Sequence, residues 1–354
     1  MLSFNRSYCG GVFLVEKIDR RILPDENSQS ISLPFDISST SNADGSNNNR
    51  VQVNSSPISP DATHSGKYNW DFAFDGITIT SILPNQVSTA EYFWSEAEGS
   101  DLGDGITLGH TVDGGFFYST YAHFQAGSVT VSDSNPFDNN YQTVEGEALG
   151  VSGDTGFGSG PHLHLQITPL FDNREELRAN NPLVIGGSFG ASVASPVKFD
   201  TALGVVLDGV VSIQNIDLST DTSALRTPGG KIVDANIFLI SDDAIDATGN
   251  DDENILSGNS GNNVIAGLGG ADAIWGGQGN DEIYGEGGNT DTDNDTVSPA
   301  TRFSAAAVLI RSMAVRRETG FTATAESIDC GSRRHLPLIA ATACCICLPS
   351  TTVS

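Results

Sequence analysis

Cysteine is absent from residues 10 to 329 of this chain. Cys9 lies near the start, and Cys330, Cys344, Cys345 and Cys347 crowd the C-terminal end. The body of the protein therefore depends on neither disulfides nor thiolate metal sites. Positive charge is equally scarce: 17 Lys and Arg face 44 Asp and Glu, giving a formal net charge of -27. So little positive charge leaves nothing to neutralise phosphates, which excludes nucleic acid as a partner and makes cations the expected ones. Long apolar runs are missing too, so no membrane span is expected, since crossing a bilayer takes roughly 18 such residues. The stretch CGGVFLV at 9–15 is short, runs straight into Glu16 and Lys17, and lacks a small-residue cleavage site. It makes a poor secretory signal, so a secreted chain needs another export route.

What is abundant is Gly, Asn, Asp, Ser and Thr, while charged residues make up only 17%. That balance fits a β-rich extracellular protein with many tight turns. With 354 residues the chain has room for more than one domain, at roughly 100 to 200 residues each. Residues 1–30 show no periodicity and stay unassigned. From 31 to 185, short β-like runs alternate with Gly, Asn, Asp and Ser clusters and no amphipathic helix, which reads as one antiparallel all-β domain. Residues 186–248 continue in that style without histidine, as a β spacer or small β module. A nonapeptide repeat occupies 249–297. From 298 to 354 the chain turns abruptly into a basic tail bearing Ala, Arg and Cys; a shifted reading frame would account for the break, and resequencing the coding DNA beyond Val297 checks it.

Only six histidines are present, four of them in patterned β segments between 64 and 164. In HLHLQI, strand alternation puts His162, His164 and Gln166 on one face and Leu163, Leu165 and Ile167 on the other. In YNWDFAF the same alternation puts Tyr68, Trp70, Phe72 and Phe74 opposite Asn69, Asp71 and Ala73. A mid-strand carboxylate backed by four aromatic rings is either solvated, paired or metal-bound, because burying it alone is costly. His64 precedes this strand, with Ser65 and Gly66 supplying a turn that could fold it back toward Asp71. His123 ends FFYSTYAHF, where alternation gives it the face of Tyr121 and Ser119. A catalytic zinc needs three such ligands and leaves a fourth position for water.

The segment GDTGFGSGPHLHLQI closely resembles the signature of the lysostaphin/LytM-type zinc metallopeptidases, approximately G-N-T-G-x-x-T-G-P-H-L-H-F. YAHF resembles their Y-x-H-L element, and HSGKYNWDF resembles the His-to-Asp element that opens the site. The order along the chain agrees, as does His110 in LGHTVDGG. The resemblance covers roughly residues 31 to 170, with one departure: six residues separate His64 from Asp71 where compact members place three. It implies that His64, Asp71 and His164 bind one catalytic zinc and that His123 and His162 flank the open position. One of those two would take the proton of the attacking water, while an imidazolium would stabilise the oxyanion. The substrate implied is the peptide part of peptidoglycan or another protein. His110 is expected to be a structural hydrogen-bonding residue, and His335 has no role.

The units GNDDENILS, GNSGNNVIA, GLGGADAIW, GGQGNDEIY and GEGGNTDTD resemble the RTX repeat, G-G-x-G-x-D-x-U-x, a parallel β-roll with structural calcium in its turns. Glycines let the turn fold tightly, the sixth residue supplies an oxygen, and the eighth points inward. Successive turns fall on opposite sides, so ligands sharing an ion lie two nonapeptide units apart: Asn254 with Asp272, and Asn263 with Asp281. The resemblance also implies a type I secretion channel, which matches the missing N-terminal signal but not the Arg/Cys tail. The overall expectation is a secreted bacterial zinc endopeptidase with an antiparallel β domain, a β spacer and a short parallel β-roll. Two rivals stand beside it: a noncatalytic LytM-like protein that binds or regulates at the cell wall, and a calcium-dependent surface or matrix protein with an inactive peptidase domain.

Overall fold

A period of two runs through residues 69–73, 104–112 and 163–167, as suits strands that bury one face in a core. The computed structural model describes residues 23–40, 49–55, 68–94, 101–130, 143–144, 146–158, 160–172, 195–220, 236–286 and 296–298. Among them the chain is all β apart from one 3-10 turn, Ile37–Ser39, capped by the Asp36 carboxylate, which accepts the Ser38 amide at 2.9 Å. The tail after 298, all five cysteines, His64 and His335 lie outside the described residues.

In chain order the first strands are β1 (Pro24–Ile31), β2 (Arg50–Ser55), β3 (Asn69–Ala73), β4 (Thr78–Thr80), β5 (Thr89–Trp94), β6 (Asp104–Val112), β7 (Gly115–Phe124), β8 (Ala148–Val151) and β9 (Leu163–Ile167). Strands β2, β3, β9, β7, β6 and β5 pair in that order, all antiparallel, with β9 in the middle between β3 and β7. One face carries Trp70, Phe72, Ile106, Leu108, Tyr121, Leu163, Leu165 and Ile167, every one fully buried. At about 1.5 to 3 kcal/mol for each large apolar side chain, this layer is what fixes the register. A one-residue slip of β9 would turn its leucines out and its histidine in.

The second part contains β10 (Ser195–Phe199), β11 (Gly209–Ser212), β12 (Ile216–Asp217), β13 (Ile237–Leu239), β14 (Ala247–Thr248), β15 (Ile255–Ser257), β16 (Val264–Leu268), β17 (Ala273–Trp275), β18 (Glu282–Glu286) and β19 (Thr296–Ser298). Strand β10 lies parallel to β1, giving part of the segment left unassigned by pattern a strand partner. Two parallel ladders build a β-roll: β13, β15, β17 and β19 on one side, and β12, β14, β16 and β18 on the other. Strands β15 and β17, and likewise β16 and β18, pair two nonapeptide units apart, as in Ile255 opposite Ala273 and Val264 opposite Glu282. Leu256, Ile265, Ile274 and Ile283, the eighth residues of their units, are buried together in a second core. The roll begins before the repeat does: Ala247 and Thr248 occupy the rung below Ile265 and Ala266.

Strand β11 joins the two parts. It pairs antiparallel with β2 at four positions and parallel with β13 at three, so one sheet of eleven strands runs from the roll to β5.

Candidate metal and catalytic site

Asp71 and His164 are direct cross-strand partners, because β3 and β9 pair with Trp70 opposite Leu165 and Phe72 opposite Leu163. The aromatic and leucine residues flanking them are turned into the core, so the two polar side chains share the other face. His164 Nδ1 lies 2.9 Å from Asp71 Oδ1, with the residues 1% and 6% exposed. A carboxylate only accepts, so Nδ1 donates to it. Both side chains are of the types zinc takes, carboxylate oxygen and imidazole nitrogen, and both are buried and aimed at one another. To that extent the residues fit the metal. The third ligand implied by resemblance, His64, falls outside the described residues, and among the described residues no group of three His, Cys, Asp or Glu is arranged to hold an ion.

His123 reaches this face by a route that alternation does not predict. Regular pairing would keep it with Tyr121 on the core side. Instead β6 and β7 pair Asp104 with Phe124 and Ile106 with Tyr121, leaving Gly105 opposite both Ala122 and His123. This β-bulge places His123 in the left-handed region, at φ 63°. The extra residue turns the imidazole to the side of Ala122, which is itself opposite His164. The His123 ring centre lies 4.4 Å from that of His162 and 6.0 Å from that of His164. The expectation that His123 shares a face with Tyr121 and Ser119 is thus corrected. At Gly105 a Cβ would collide with the Tyr121 carbonyl, so the opposing strand is closely packed against the bulge.

The two flanking histidines are held as the same tautomer. His123 Nδ1 lies 2.8 Å from the Thr155 carbonyl, and His162 Nδ1 lies 2.7 Å from the Gly160 carbonyl. A carbonyl cannot donate, so each Nδ1 carries a proton, which in a neutral ring leaves the lone pair on Nε2. Burial above all, and then the neighbouring His162, pushes the His123 pKa down to about 4. At neutral pH it is an uncharged proton acceptor. Thr155 is the residue that pattern reading missed. Its hydroxyl accepts the Asp104 amide at 2.9 Å and donates to the Phe124 carbonyl at 2.5 Å, so it clamps the bulge from both sides while its carbonyl orients His123. The glycines beside it were the available signal: Gly156, at φ 79°, packs so closely on the Gly103 backbone that no Cβ fits.

His110 lies on the core side of the sheet, away from this cluster. Its Nδ1 meets Ser88 Oγ at 2.8 Å, its Nε2 meets Ser119 Oγ at 2.6 Å, and Ser119 continues to the Tyr121 hydroxyl at 3.0 Å. Tyr121 in turn accepts the Ile82 amide at 2.9 Å. Complete burial lowers the His110 pKa to about 3, so it serves as a neutral link in a buried network.

In the roll, the sixth residues of alternate units meet. Asn254 donates its amide to Asp272 Oδ1 at 2.8 Å, and Asn263 donates to Asp281 Oδ1 at 3.0 Å. The side chains of Asn254 and Asn263 also accept the Asn250 and Asn259 amides, closing each turn. A Cβ on Gly267 would collide with Asp272 Oδ2 and the Gly285 carbonyl, and one on Gly258 with Asn263 Oδ1 and the Gly276 carbonyl. Hard oxygen donors converging over a bare glycine are what calcium takes. Desolvation by burial raises the Asp281 pKa, partly offset by the Asn263 amide. Asn236 stands two nonapeptide lengths before Asn254, where the glycine pattern does not reach. It ends the ladder by accepting the Ile255 amide at 2.9 Å and donating to the Asp208 carbonyl at 2.6 Å.

No curated protein matches this sequence. Among solved structures, a zinc containing peptidase from Vibrio cholerae is similar at 17% identity and a TM-score of 0.23, over 42% of this chain and 36% of that one. The match therefore spans about a third of that peptidase. Residues 248–283 and 257–291 match the family described as the RTX calcium-binding nonapeptide repeat (4 copies). With the parallel ladders and the oxygen-lined turns already described, these residues are calcium-binding RTX repeats.

Proposed function

We propose that this protein is a zinc metalloendopeptidase that works outside a bacterial cell and hydrolyses peptide bonds in peptidoglycan cross-links. The observation that carries the reading is the buried Asp71–His164 pair with two further imidazoles, of matched tautomer, packed beside it. Asp71 and His164, with His64, would hold zinc, which supplies Lewis acidity and lowers the pKa of water. His123 and His162, each tied through Nδ1 to a carbonyl, stand with ring centres 4.4 Å apart. An imidazole in its neutral form can accept a proton from water, and once protonated can donate a hydrogen bond to a developing oxyanion. The apolar layer beneath fixes the strands that carry Asp71 and His164, so little reorganisation of that pair is needed during reaction. Calcium holds the roll, and export of such an acidic, cysteine-poor chain through a type I secretion channel accords with its RTX repeats.

The test separates ligand from proton acceptor. His164→Ala is expected to lose both bound zinc and cleavage of purified peptidoglycan. His123→Ala is expected to keep zinc and lose about 10²- to 10⁴-fold in kcat. A fully active His164→Ala protein would end the proposal. The rival in which the roll dominates and the β domain is inactive has the RTX match in its favour. It predicts no cleavage by the zinc-loaded wild-type chain.

A further inference from the structure

Three of the four side chains in the histidine cluster are closed off from solvent: Asp71, His123 and His164 are 6%, 5% and 1% exposed. His162 is half-buried, and Pro161 and Gly158 beside it are exposed. Among these four, then, a substrate meets His162 first. The segment that carries His162, described at 153–158 and 160–162, grips both flanking histidines. Its Thr155 and Gly160 carbonyls accept from His123 Nδ1 and His162 Nδ1. Gly153 donates its amide to the His123 carbonyl and accepts the His162 amide. A Cβ on Gly158 would stand 2.9 Å from His162 Cε1, so this part of the segment lies against the imidazole.

Phe157 stands in the middle of this segment and is 77% exposed, the most exposed large apolar side chain among the described residues. A single exposed apolar residue is ordinary on a protein surface, so exposure alone says little. Its setting says more. The Phe157 amide donates to the Asp101 carbonyl at 2.8 Å, and Gly156 before it packs on the Asp101 carbonyl and the Gly103 backbone too closely for a Cβ. The backbone is pinned while the ring stands in water, so little backbone freedom is lost when the ring binds. The charge around it is of one sign. No Lys or Arg occurs from residue 68 to 173. Asp101, whose carbonyl holds Phe157, and Asp154, in the same segment as Phe157, are both exposed. An aromatic face beside carboxylates repels anions and suits an alkyl chain that ends in an ammonium. The methylenes cover the ring, and the ammonium is drawn by the ring face and the carboxylates.

We propose that Phe157, with Asp101 and Asp154, forms a subsite for a lysine-type side chain on the peptide that enters at His162. The subsite's part in substrate choice rests on the peptidase reading above, but its binding chemistry needs no zinc. Phe157 touches no reacting atom; it selects which peptide is held beside the histidines. The acidic surroundings draw a cationic peptide toward this entrance, and that attraction weakens as salt rises. The preference is modest, because every group in the subsite is in water. A cation over an exposed ring is worth about 2- to 5-fold in affinity, and each exposed carboxylate about 2-fold more.

The experiment uses the full-length chain and three labelled peptides of glycine and alanine that differ only at a central lysine, Nε-acetyllysine or norleucine. Binding to the zinc-free chain is read by fluorescence anisotropy, and cleavage by the zinc-loaded chain as kcat/KM. The lysine peptide is expected to bind about 5- to 10-fold more tightly than its acetylated form, with a margin that shrinks as sodium chloride is added. Phe157→Ala is expected to lose most of that margin, Phe157→Tyr to keep it, and Asp154→Asn to reduce it about 2-fold. Equal binding of the three peptides by the wild type, or a lysine margin that survives Phe157→Ala, would overturn the proposal. Should Phe157→Ala fail to fold, Asp154→Asn and the salt series decide: a margin indifferent to both overturns it. A lysine margin that depends on Phe157 in a zinc-loaded chain that cleaves none of the peptides would sink the peptidase reading and leave the subsite standing. Cleavage of all three peptides with no lysine margin would do the reverse.

Discussion

The histidine cluster and the β-roll gather their polar side chains in opposite ways. In the cluster, Asp71 and His164 are 93 residues apart in sequence, and only the register of β3 against β9 brings them within 2.9 Å. In the roll the sixth residue of a unit meets its partner two units away, and the same turn repeats. The first arrangement is held by the apolar layer beneath β3 and β9. The second is held by oxygens that repel until an ion arrives. Preorganisation suits a site meant to act on a substrate, whereas dependence on the ion suits one meant to respond to calcium.

The comparison breaks most sharply at Asp71. Asp71→Asn keeps the size and can still accept from His164, but removes the charge that a dication needs. Zinc affinity is expected to fall at least about 100-fold with little change in melting temperature, by zinc titration and calorimetry. A large loss of stability would show that the pair is structural rather than preorganised for metal.

Acid provides the next test, on the antiparallel sheet with calcium saturating. His110 has a pKa of about 3 when folded and an ordinary value of 6.5 when unfolded. Between these values the unfolded chain binds the extra proton, so stability is full above about pH 6.5 and falls as pH drops toward 3, by up to about 1.4 kcal/mol per pH unit. Urea midpoints at pH 7, 5 and 4 are expected to decline, and His110→Gln to flatten the decline. An equal slope in the variant would remove His110 as its cause.

Smaller effects belong to the roll. Gly267→Ala sets a methyl against Asp272 and the Gly285 carbonyl and is expected to cost about 1 to 3 kcal/mol, seen as a lower melting temperature with calcium present. Asp281→Asn keeps an oxygen facing Asn263 but lowers the ligand charge, and is expected to weaken calcium binding about tenfold in a titration followed by circular dichroism. Equal calcium affinity would place the ion elsewhere.

Much of this was readable from the sequence, for physical reasons that differ along the chain. The roll was legible because its period is local: glycine at position one and an aliphatic at position eight need no distant partner. HLHLQI and YNWDFAF were legible as two-faced strands because burying Trp70, Phe72, Leu163 and Leu165 leaves the alternate positions no other face. The placement of His123 was not legible, since alternation assigns it to the wrong side and a bulge is set by the opposing strand at Gly105. Nor were the rungs at β12, β13 and β14, where Ile240 stands two nonapeptide lengths before Gly258 and the glycine beat is absent. The junction at β11 was hidden for the same reason as the bulge: strand partners as distant in sequence as Val51 and Val211 leave no local trace.

The central claim is tested most directly by incubating the zinc-loaded chain with purified peptidoglycan and identifying the newly exposed amino groups by mass spectrometry, with a chelator arm and a zinc-restored arm. The account predicts about one zinc per chain, cleavage at peptide bonds, loss of cleavage on chelation and recovery when zinc alone is returned with calcium held constant. Cleavage that persists in the zinc-free chain, or a fully zinc-loaded and folded chain that cleaves no peptide bond, would contradict it.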